Sequence, residues 1–103
     1  MKYEEIEELY NKLDSYLNSV AIGPEHDNLL NQLTKLSKLL DSLDEEIINQ
    51  KSKELLSDLE NKKLDNLIKD SIIEVNEITT SIDKVTRLVG GLDNVISKLT
   101  ILG

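Results

Sequence analysis

His26 is the first residue to consider for chemistry, because it is the only histidine in a 103-residue chain that contains no cysteine. A zinc site or a general acid–base pair needs a second histidine, a thiolate or a convergent carboxylate at a defined spacing. The sequence has no His-x-x-x-His motif or similar arrangement. We therefore expect His26 to be a surface residue in the first turn of a helix.

Two runs of carboxylates have the residue types to bind a metal ion or to form a general acid–base pair. They are Glu4-Glu5-Ile6-Glu7-Glu8 and Asp44-Glu45-Glu46. Di-iron helical bundles place Glu and Glu-x-x-His motifs on facing helices, and this sequence has no Glu-x-x-His. Both runs lie opposite apolar stripes of the predicted helices, so we interpret them as solvated helix faces.

The remaining candidates also lack the residues that catalysis or cofactor binding requires. Gly90-Gly91 is followed by Leu92-Asp93 rather than by the Lys-Ser/Thr of a phosphate-binding loop, and there is no nucleophile elbow. We predict no catalytic residue, no metal site and no cofactor, and hence that the protein is not an enzyme. All three tyrosines fall in the first predicted helix, where we interpret them as the wet rim of a packing face: Tyr3, Tyr10 and Tyr16.

The elements that would position these residues are helices, and the clearest signal is a heptad repeat in the last part of the chain. From Leu64 to Leu99, apolar residues recur at two positions of every seven, with β-branched residues at one position and mostly leucine at the other. This 3.5-residue period keeps one apolar seam facing the same neighbour over many turns. The a positions are Asn61, Ile68, Val75, Ile82, Val89 and Ile96, and the d positions are Leu64, Ser71, Ile78, Val85, Leu92 and Leu99.

The first two helices are predicted from apolar spacing and turn residues. Apolar residues at intervals of three and four predict a helix over residues 3–20, which Gly23-Pro24 ends. No glycine or proline occurs between residues 25 and 89. A second leucine-rich seam in this stretch predicts a helix over residues 25–59.

These patterns predict an all-α fold with a single domain over residues 1–103. A turn near residues 60–63 would place a third helix over residues 64–99, which matches the second at roughly 50 Å each. The matching lengths favour an elongated antiparallel helical bundle or coiled-coil hairpin, in which a short helix 1 is followed by two long helices. Two alternatives stay open: a continuous rod without the turn, and a break at Ser42, where Ser42-Leu43-Asp44-Glu45 fits a capping box.

The heptad seam is too wide for one partner helix, which predicts a bundle and an interface. Leucine or valine at the g positions 67, 88, 95 and 102 broadens the apolar face beyond the a/d pair. The first helix is only about half as long as the other two, so we expect the C-terminal part of the seam to remain for a partner. The predicted interface residues are Ile78, Ile82, Val85, Leu88, Val89, Leu92, Val95, Ile96 and Leu99.

Four polar or small residues modify this predicted interface. Asn61 at an a position and Ser71 at a d position are expected to fix register and orientation. Gly90 and Gly91 fall on the side of the helix away from the seam. Each glycine lowers the stability of a helix when it stands in the helix interior. We interpret the pair either as a bend or frayed segment, or as a hinge that lets the last residues reach a separate surface.

The net charge limits the kinds of partner that the protein is expected to bind. The formal net charge is −8, and residues 1–60 carry 14 acidic and 6 basic residues, whereas residues 61–103 carry 6 of each. An acidic surface argues against binding to nucleic acid or to an anionic membrane, so we predict a protein partner. Because the N-terminus is acidic and no stretch is long enough to span a bilayer, we expect an intracellular protein, cytoplasmic or nuclear and not secreted.

Two functions fit these features. The first is a non-enzymatic structural or adaptor subunit that forms a homo-oligomer, or a hetero-complex with other coiled-coil subunits, through its heptad seams. The alternative is an acidic helical inhibitor or immunity-type protein that blocks a basic site on its target. The excess of negative charge favours this alternative, although lysines such as Lys35 and Lys51 interrupt the acidic surface and weaken any mimicry of nucleic acid.

Overall fold

A computed structural model describes residues 2–20, 23–77 and 82–102 of the chain, and for Lys2, Glu25 and Ile82 it describes the backbone alone. Within these ranges the regular secondary structure is helical, without a strand, which confirms the predicted all-α class. The elements are α1 (Lys2–Ser19), a 3-10 turn (Pro24–His26), α2 (Asp27–Ser42), α3 (Glu45–Leu55), α4 (Asp58–Glu77) and α5 (Ile82–Leu102).

α1 forms where the apolar spacing predicts a helix over residues 3–20. Glu4 and Glu5 in its first turn lie at the positive end of the helix dipole, which favours carboxylates there. Pro24 opens the 3-10 turn that follows, where its missing N–H leaves no helical hydrogen bond unmade. The side chains that α1 buries recur every three or four residues: Ile6, Leu9, Leu13 and Leu17.

The helix predicted over residues 25–59 is instead divided into α2 and α3 by a break just before the start of α3. Asp44 is the N-cap of α3, since its backbone is extended and its Oδ1 accepts a hydrogen bond from the Ile47 N–H at 2.8 Å. The break shifts the helical phase, so that Ile48 is buried and Ile47 is 36% exposed. The break therefore lies beside Ser42, as one alternative had it, but an aspartate provides the cap.

The next corner follows at Ser57, a few residues before the turn predicted near residues 60–63. Ser57 and Glu60 form a capping box, in which the N–H of each donates to the side-chain oxygen of the other at 3.2 Å. Asn61 ties the corner together, because its Nδ2 donates to the carbonyl of Ser52 in α3 at 2.9 Å. This Ser-x-x-Glu pattern is a local signal that the heptad analysis missed.

The helix predicted over residues 64–99 is divided into α4 and α5, which fold back on each other. The charge of Lys98, near the end of α5, reaches Glu60 at the start of α4. In the middle of both helices, Gly91 lies against Ser71. This order of contacts makes α4 and α5 antiparallel. A seam that is continuous in the sequence therefore closes on itself within one chain.

Four helices close a ring in which each packs on two neighbours, in the order α1, α4, α5 and α2, while α3 packs against α1, α4 and α5. The bundle measures 41 × 25 × 18 Å, with a radius of gyration of 13.4 Å. A compact domain of this length has a radius of gyration of about 13 Å, whereas one 35-residue helix is about 50 Å long. The elongated hairpin with two long helices is therefore corrected to a compact bundle of shorter helices.

The core of the bundle is one cluster of leucine, isoleucine and valine side chains to which all the helices contribute. The three tyrosines pack against the edge of this cluster without being fully buried. The edge placement lets each ring contact apolar neighbours of the core. The aromatic residues of the protein are thus concentrated at the border between core and surface, on α1.

We expect Asp44→Ala to destabilise the protein by about 1 kcal/mol, because the Ile47 N–H loses its capping acceptor at the start of α3. Urea denaturation followed by circular dichroism measures this change. Asp41→Ala is the matched control, since Asp41 is exposed near the end of α2 and caps no helix. Equal loss of stability in both variants would contradict the assigned cap.

Candidate functional site

The predicted partner interface lies inside the bundle. Two of its nine residues cannot be placed fully, since Ile78 lies outside the described residues and only the backbone of Ile82 is described. The remaining side chains pack within the chain, so the fold does not present them as a docking surface. Their exposed fractions are 2% or less for Val85, Leu88, Leu92, Val95 and Leu99 and 9% for Ile96, and Val89 is half-buried.

The buried face of α5 is centred on the d and g positions of the heptad rather than on a and d. The a-position Val89 is only half-buried, whereas the g-position Leu88 beside it is fully buried. The g-position leucines and valine did indicate a wide apolar face correctly. The helices that cover this face are α2, α3 and α4 of the same chain.

The predicted hinge at Gly90 and Gly91 is an uninterrupted part of α5, and neither glycine has a positive φ. Gly90 is exposed, and a Cβ added there would meet nothing within 4 Å. A Cβ added to Gly91 would lie 3.3 Å from the Ser71 Oγ and 3.7 Å from the Glu74 Oε2. Both glycines therefore lie within a continuous helix, in which Gly91 permits a close approach of α4, and the hinge stays a prediction.

The two polar residues that were expected to fix register with a partner make contacts within the chain. Ser71 is 1% exposed and lies between α4 and α5 at the close approach to Gly91. Asn61 is half-buried and binds the end of α3. Each residue therefore contributes to the alignment of neighbouring helices in the same bundle.

His26 is fully buried, contrary to the expectation of a surface residue. Its Nδ1 accepts a hydrogen bond from the Gly23 N–H at 3.2 Å, and its Nε2 lies 3.0 Å from the Tyr16 Oη. Because Nδ1 is an acceptor, the neutral ring carries its proton on Nε2 and donates it to the tyrosine. Both ring nitrogens thus hold the connection between α1 and α2. The sequence gives no sign of this pair, since folding alone brings the two rings together.

A buried amide, Gln32, joins α2 to α5. Its Nε2 donates to the Val89 carbonyl at 2.8 Å and to the Asp93 Oδ1 at 2.6 Å. Its Oε1 is buried without a hydrogen-bond partner among the described residues. A buried polar group stabilises only the arrangement that satisfies it, so Gln32 favours one alignment of these two helices.

Glu74 on α4 is a carboxylate at the border of the core. Burial raises its pKa above the usual value, with a smaller opposing effect of Arg87 and a smaller reinforcing effect of Asp70. Its Oε2 is buried and has no hydrogen-bond partner within the described part of the chain. Folding therefore makes the ionised form of Glu74 less favourable relative to its protonated form.

An open groove of about 830 Å³ runs between α1 and α4. Its α1 side carries three glutamates, Glu4, Glu7 and Glu8. The basic residue in its lining is Lys12, whose Nζ donates to the Asn76 Oδ1 of α4 at 3.2 Å. This lysine therefore links two helices, and the glutamates give the groove an acidic wall.

A second groove of about 300 Å³ lies on the other side of α1, against α2. The two grooves share Glu7 and Asn11, so that together they span the outer face of α1. We call this face the α1 surface. It consists of Tyr3, Glu4, Glu7, Glu8, Tyr10 and Asn11 on α1, with Ser37, Leu40 and Asp41 contributed by α2.

The carboxylates of the α1 surface are not neutralised within the fold. The side-chain carboxylates of Glu4, Glu7, Glu8 and Asp41 form no ion pair or hydrogen bond with another residue in the described ranges. Glu4, Glu7 and Glu8 belong to the run that we interpret from the sequence as a solvated helix face, and all three are exposed. The sequence did not show that Asp41 lies beside Tyr3 and Tyr10, because α2 reaches α1 only in the folded chain.

The described residues contain no group of three or more His, Cys, Asp or Glu that could hold a metal ion. None of their helices is long and apolar enough to cross a membrane.

Comparison of the chain with models of protein families, with curated proteins and with solved structures found no match. The arrangement of its own residues is therefore the basis for a functional proposal.

We expect Gly90→Ala to stabilise the protein by about 1 kcal/mol, because alanine favours a helix interior and its methyl group has open space there. Gly91→Ala should gain less, since its methyl group approaches the Ser71 Oγ. Thermal melting of both variants measures the difference. A loss of stability in Gly90→Ala would favour a hinge that needs glycine.

We expect Glu74→Gln to gain stability relative to the natural protein as the pH rises from 3 to 7. Since burial raises the folded-state pKa of Glu74 above its usual value, its protonated form contributes stability that is lost as the pH rises through that folded-state pKa. The variant lacks this loss. Denaturation midpoints at several pH values measure the difference between the two proteins.

Glu60→Gln is the control of opposite sign. Hydrogen bonds from Ser57 lower the pKa of Glu60 below 4.5, so its stabilising effect is present at neutral pH and is lost as the pH falls. This variant should therefore be less stable than the natural protein at pH 7, with the difference closing at low pH. The same pH trend in both variants would contradict the assigned environments.

Proposed function

We propose that this protein is a non-enzymatic helical interaction protein whose α1 surface binds a basic surface of a partner protein. The observation that carries the proposal is the set of unpaired carboxylates on the outer face of α1, between two grooves and beside two tyrosines. Tyrosine is enriched at protein interfaces, and complementary charge steers association and selects partners. An inhibitor or immunity-type protein that blocks a basic site is the form of activity that this surface supports best.

The state of the candidate chemical groups supports a role without catalysis. His26 uses its ring nitrogens to hold the connection between α1 and α2, where a tyrosine covers it. The glutamates of the first acidic run are exposed to solvent on α1. A histidine is the side chain that most often serves as a general acid or base, and the one histidine of this sequence is engaged in these structural contacts.

The burial of the heptad seam favours this proposal over self-assembly through that seam. The apolar side chains of α5 are already covered by the other helices, so a partner helix would reach them only after the bundle opened. A protein that must first open its core pays that free energy on binding, which weakens the complex. The seam therefore serves intramolecular packing, and the charged outer face is the better candidate for contact.

The charge distribution also sets the class of partner. A carboxylate-rich surface repels nucleic acid and anionic lipid headgroups and attracts exposed lysine and arginine. The cysteine-free sequence fits a reducing compartment, so we place the binding inside the cell. The partner that we propose is therefore an intracellular protein with a basic site.

Charge reversal on α1 tests the proposal. Glu4→Lys with Glu8→Lys should abolish capture of a partner from an extract of cells that express the natural protein. The matched control is Glu46→Lys with Glu54→Lys, which changes the net charge equally and also places one reversal in the first turn of its helix, α3. Captured proteins are identified by mass spectrometry at low and high salt.

Two outcomes would overturn the proposal. One is a partner retained equally by the α1 and α3 variants, and the other is binding that does not weaken at high salt.

We also expect the isolated protein to sediment as a monomer at micromolar concentration, because its seam is buried. A dimer that is lost when the bundle core, rather than α1, is altered would restore assembly through the heptad seam.

A further inference from the structure

The groove between α1 and α2 combines two aromatic rings with two carboxylates. Tyr3 and Tyr10 lie one heptad apart on α1, about 10 Å along the helix axis, and Glu7 lies between them on the same side. Asp41 enters from α2, and Leu40 provides an apolar contact. The groove of about 300 Å³ is therefore lined by two aromatic side chains, an aliphatic side chain and negative charge.

The groups that line this groove are available for a ligand. Tyr3 and Tyr10 are half-buried against the core, so their positions are fixed by packing on the other helices. The side chains of Tyr3, Tyr10, Glu7 and Asp41 make no hydrogen bond or ion pair with another described residue. The groove thus offers rings packed on the core and exposed carboxylates, and no lysine or arginine lines it.

We propose that this groove receives an arginine side chain of the partner protein, a specific inference that rests on the proposed function. A guanidinium group is planar, stacks on aromatic rings and donates up to five hydrogen bonds in a fixed geometry. In this groove it lies against a tyrosine ring, while its N–H groups face the carboxylates of Glu7 and Asp41. The aliphatic part of the arginine contacts Leu40.

Arginine fits this lining better than the other positively charged ligands. A lysine ammonium is more strongly hydrated and cannot stack as a plane, so it gains less from the rings. A metal ion would leave the tyrosine rings unused and would need more converging oxygen ligands. Phosphate groups, whether of nucleic acid or of lipid, are repelled by both carboxylates. The chemistry of the groove therefore selects a guanidinium carried by a protein.

The test uses the full chain and the peptide acetyl-Gly-Gly-Arg-Gly-Gly-amide. The same peptide with citrulline in place of arginine has nearly the same shape without the charge. In an NMR titration, the arginine peptide should shift signals of Tyr3, Glu7, Tyr10, Ser37 and Asp41 in a saturable way. The citrulline peptide should bind at least fivefold more weakly.

Substitutions of residues that line the groove provide the second part of the test. Tyr10→Leu should weaken binding of the arginine peptide about fivefold while keeping an apolar side chain against the core. Tyr10→Phe keeps the ring and should retain binding, which separates loss of the π face from loss of structure. Glu7→Gln should also weaken binding, whereas Asp70→Asn, on the outer face of α4, should not.

Three results would overturn the inference: equal affinity for both peptides, shifts spread over all acidic helices, or unchanged binding in Tyr10→Leu. Failure here is separable from failure of the proposed function. A partner that is lost specifically on reversal of Glu4 and Glu8 upholds the α1 surface even when the groove binds no arginine. Conversely, saturable binding of arginine in the groove is measurable when no partner depends on those two glutamates.

Discussion

Burial of the wide apolar face of α5 is the constraint on which the rest of the structure depends. Its d and g positions, together with Ile96, carry large aliphatic side chains that form one wide face, and a single neighbour covers only part of such a face. α2, α3 and α4 all pack against it, and α1 closes the ring by packing on α2 and α4. The chain must therefore reverse direction repeatedly, and its long heptad patterns are divided into short helices.

Local polar contacts decide where the helices end and how they are aligned. Asp44 and the Ser57–Glu60 pair satisfy N–H groups at the starts of α3 and α4, which would otherwise lack partners. Gln32 links α2 to α5, and His26 links the start of α2 to α1 through Tyr16. Aliphatic side chains alone can pack in several similar arrangements, because their contacts have no preferred direction. These few hydrogen bonds are directional, so they favour one arrangement of the helices over its alternatives.

The same packing determines which surfaces remain for function. Because the seam of α5 is buried inside the bundle, its apolar residues are not available on the surface. The outer face of α1 is left with carboxylates that no described lysine or arginine neutralises, and α2 adds a further carboxylate beside two tyrosines. The function that we propose, based on charge and aromatic contact, therefore depends on the outer face of α1.

The sequence by itself determined the all-α class, the first helix and the apolar residues of the core, because spacings of three and four residues report burial on one face of a helix whatever its neighbours are. It predicted one helix over residues 25–59, with a break at Ser42 only as an alternative, and it placed the turn after this helix a few residues too late. The reason is that the apolar pattern continues across the capping residues Asp44 and Ser57. Only the tertiary structure decided that the seam is internal, that His26 is buried and that Asp41 joins Tyr3 and Tyr10. These facts depend on contacts between residues distant in the chain, and a periodic pattern specifies that a face is covered without specifying which helix covers it.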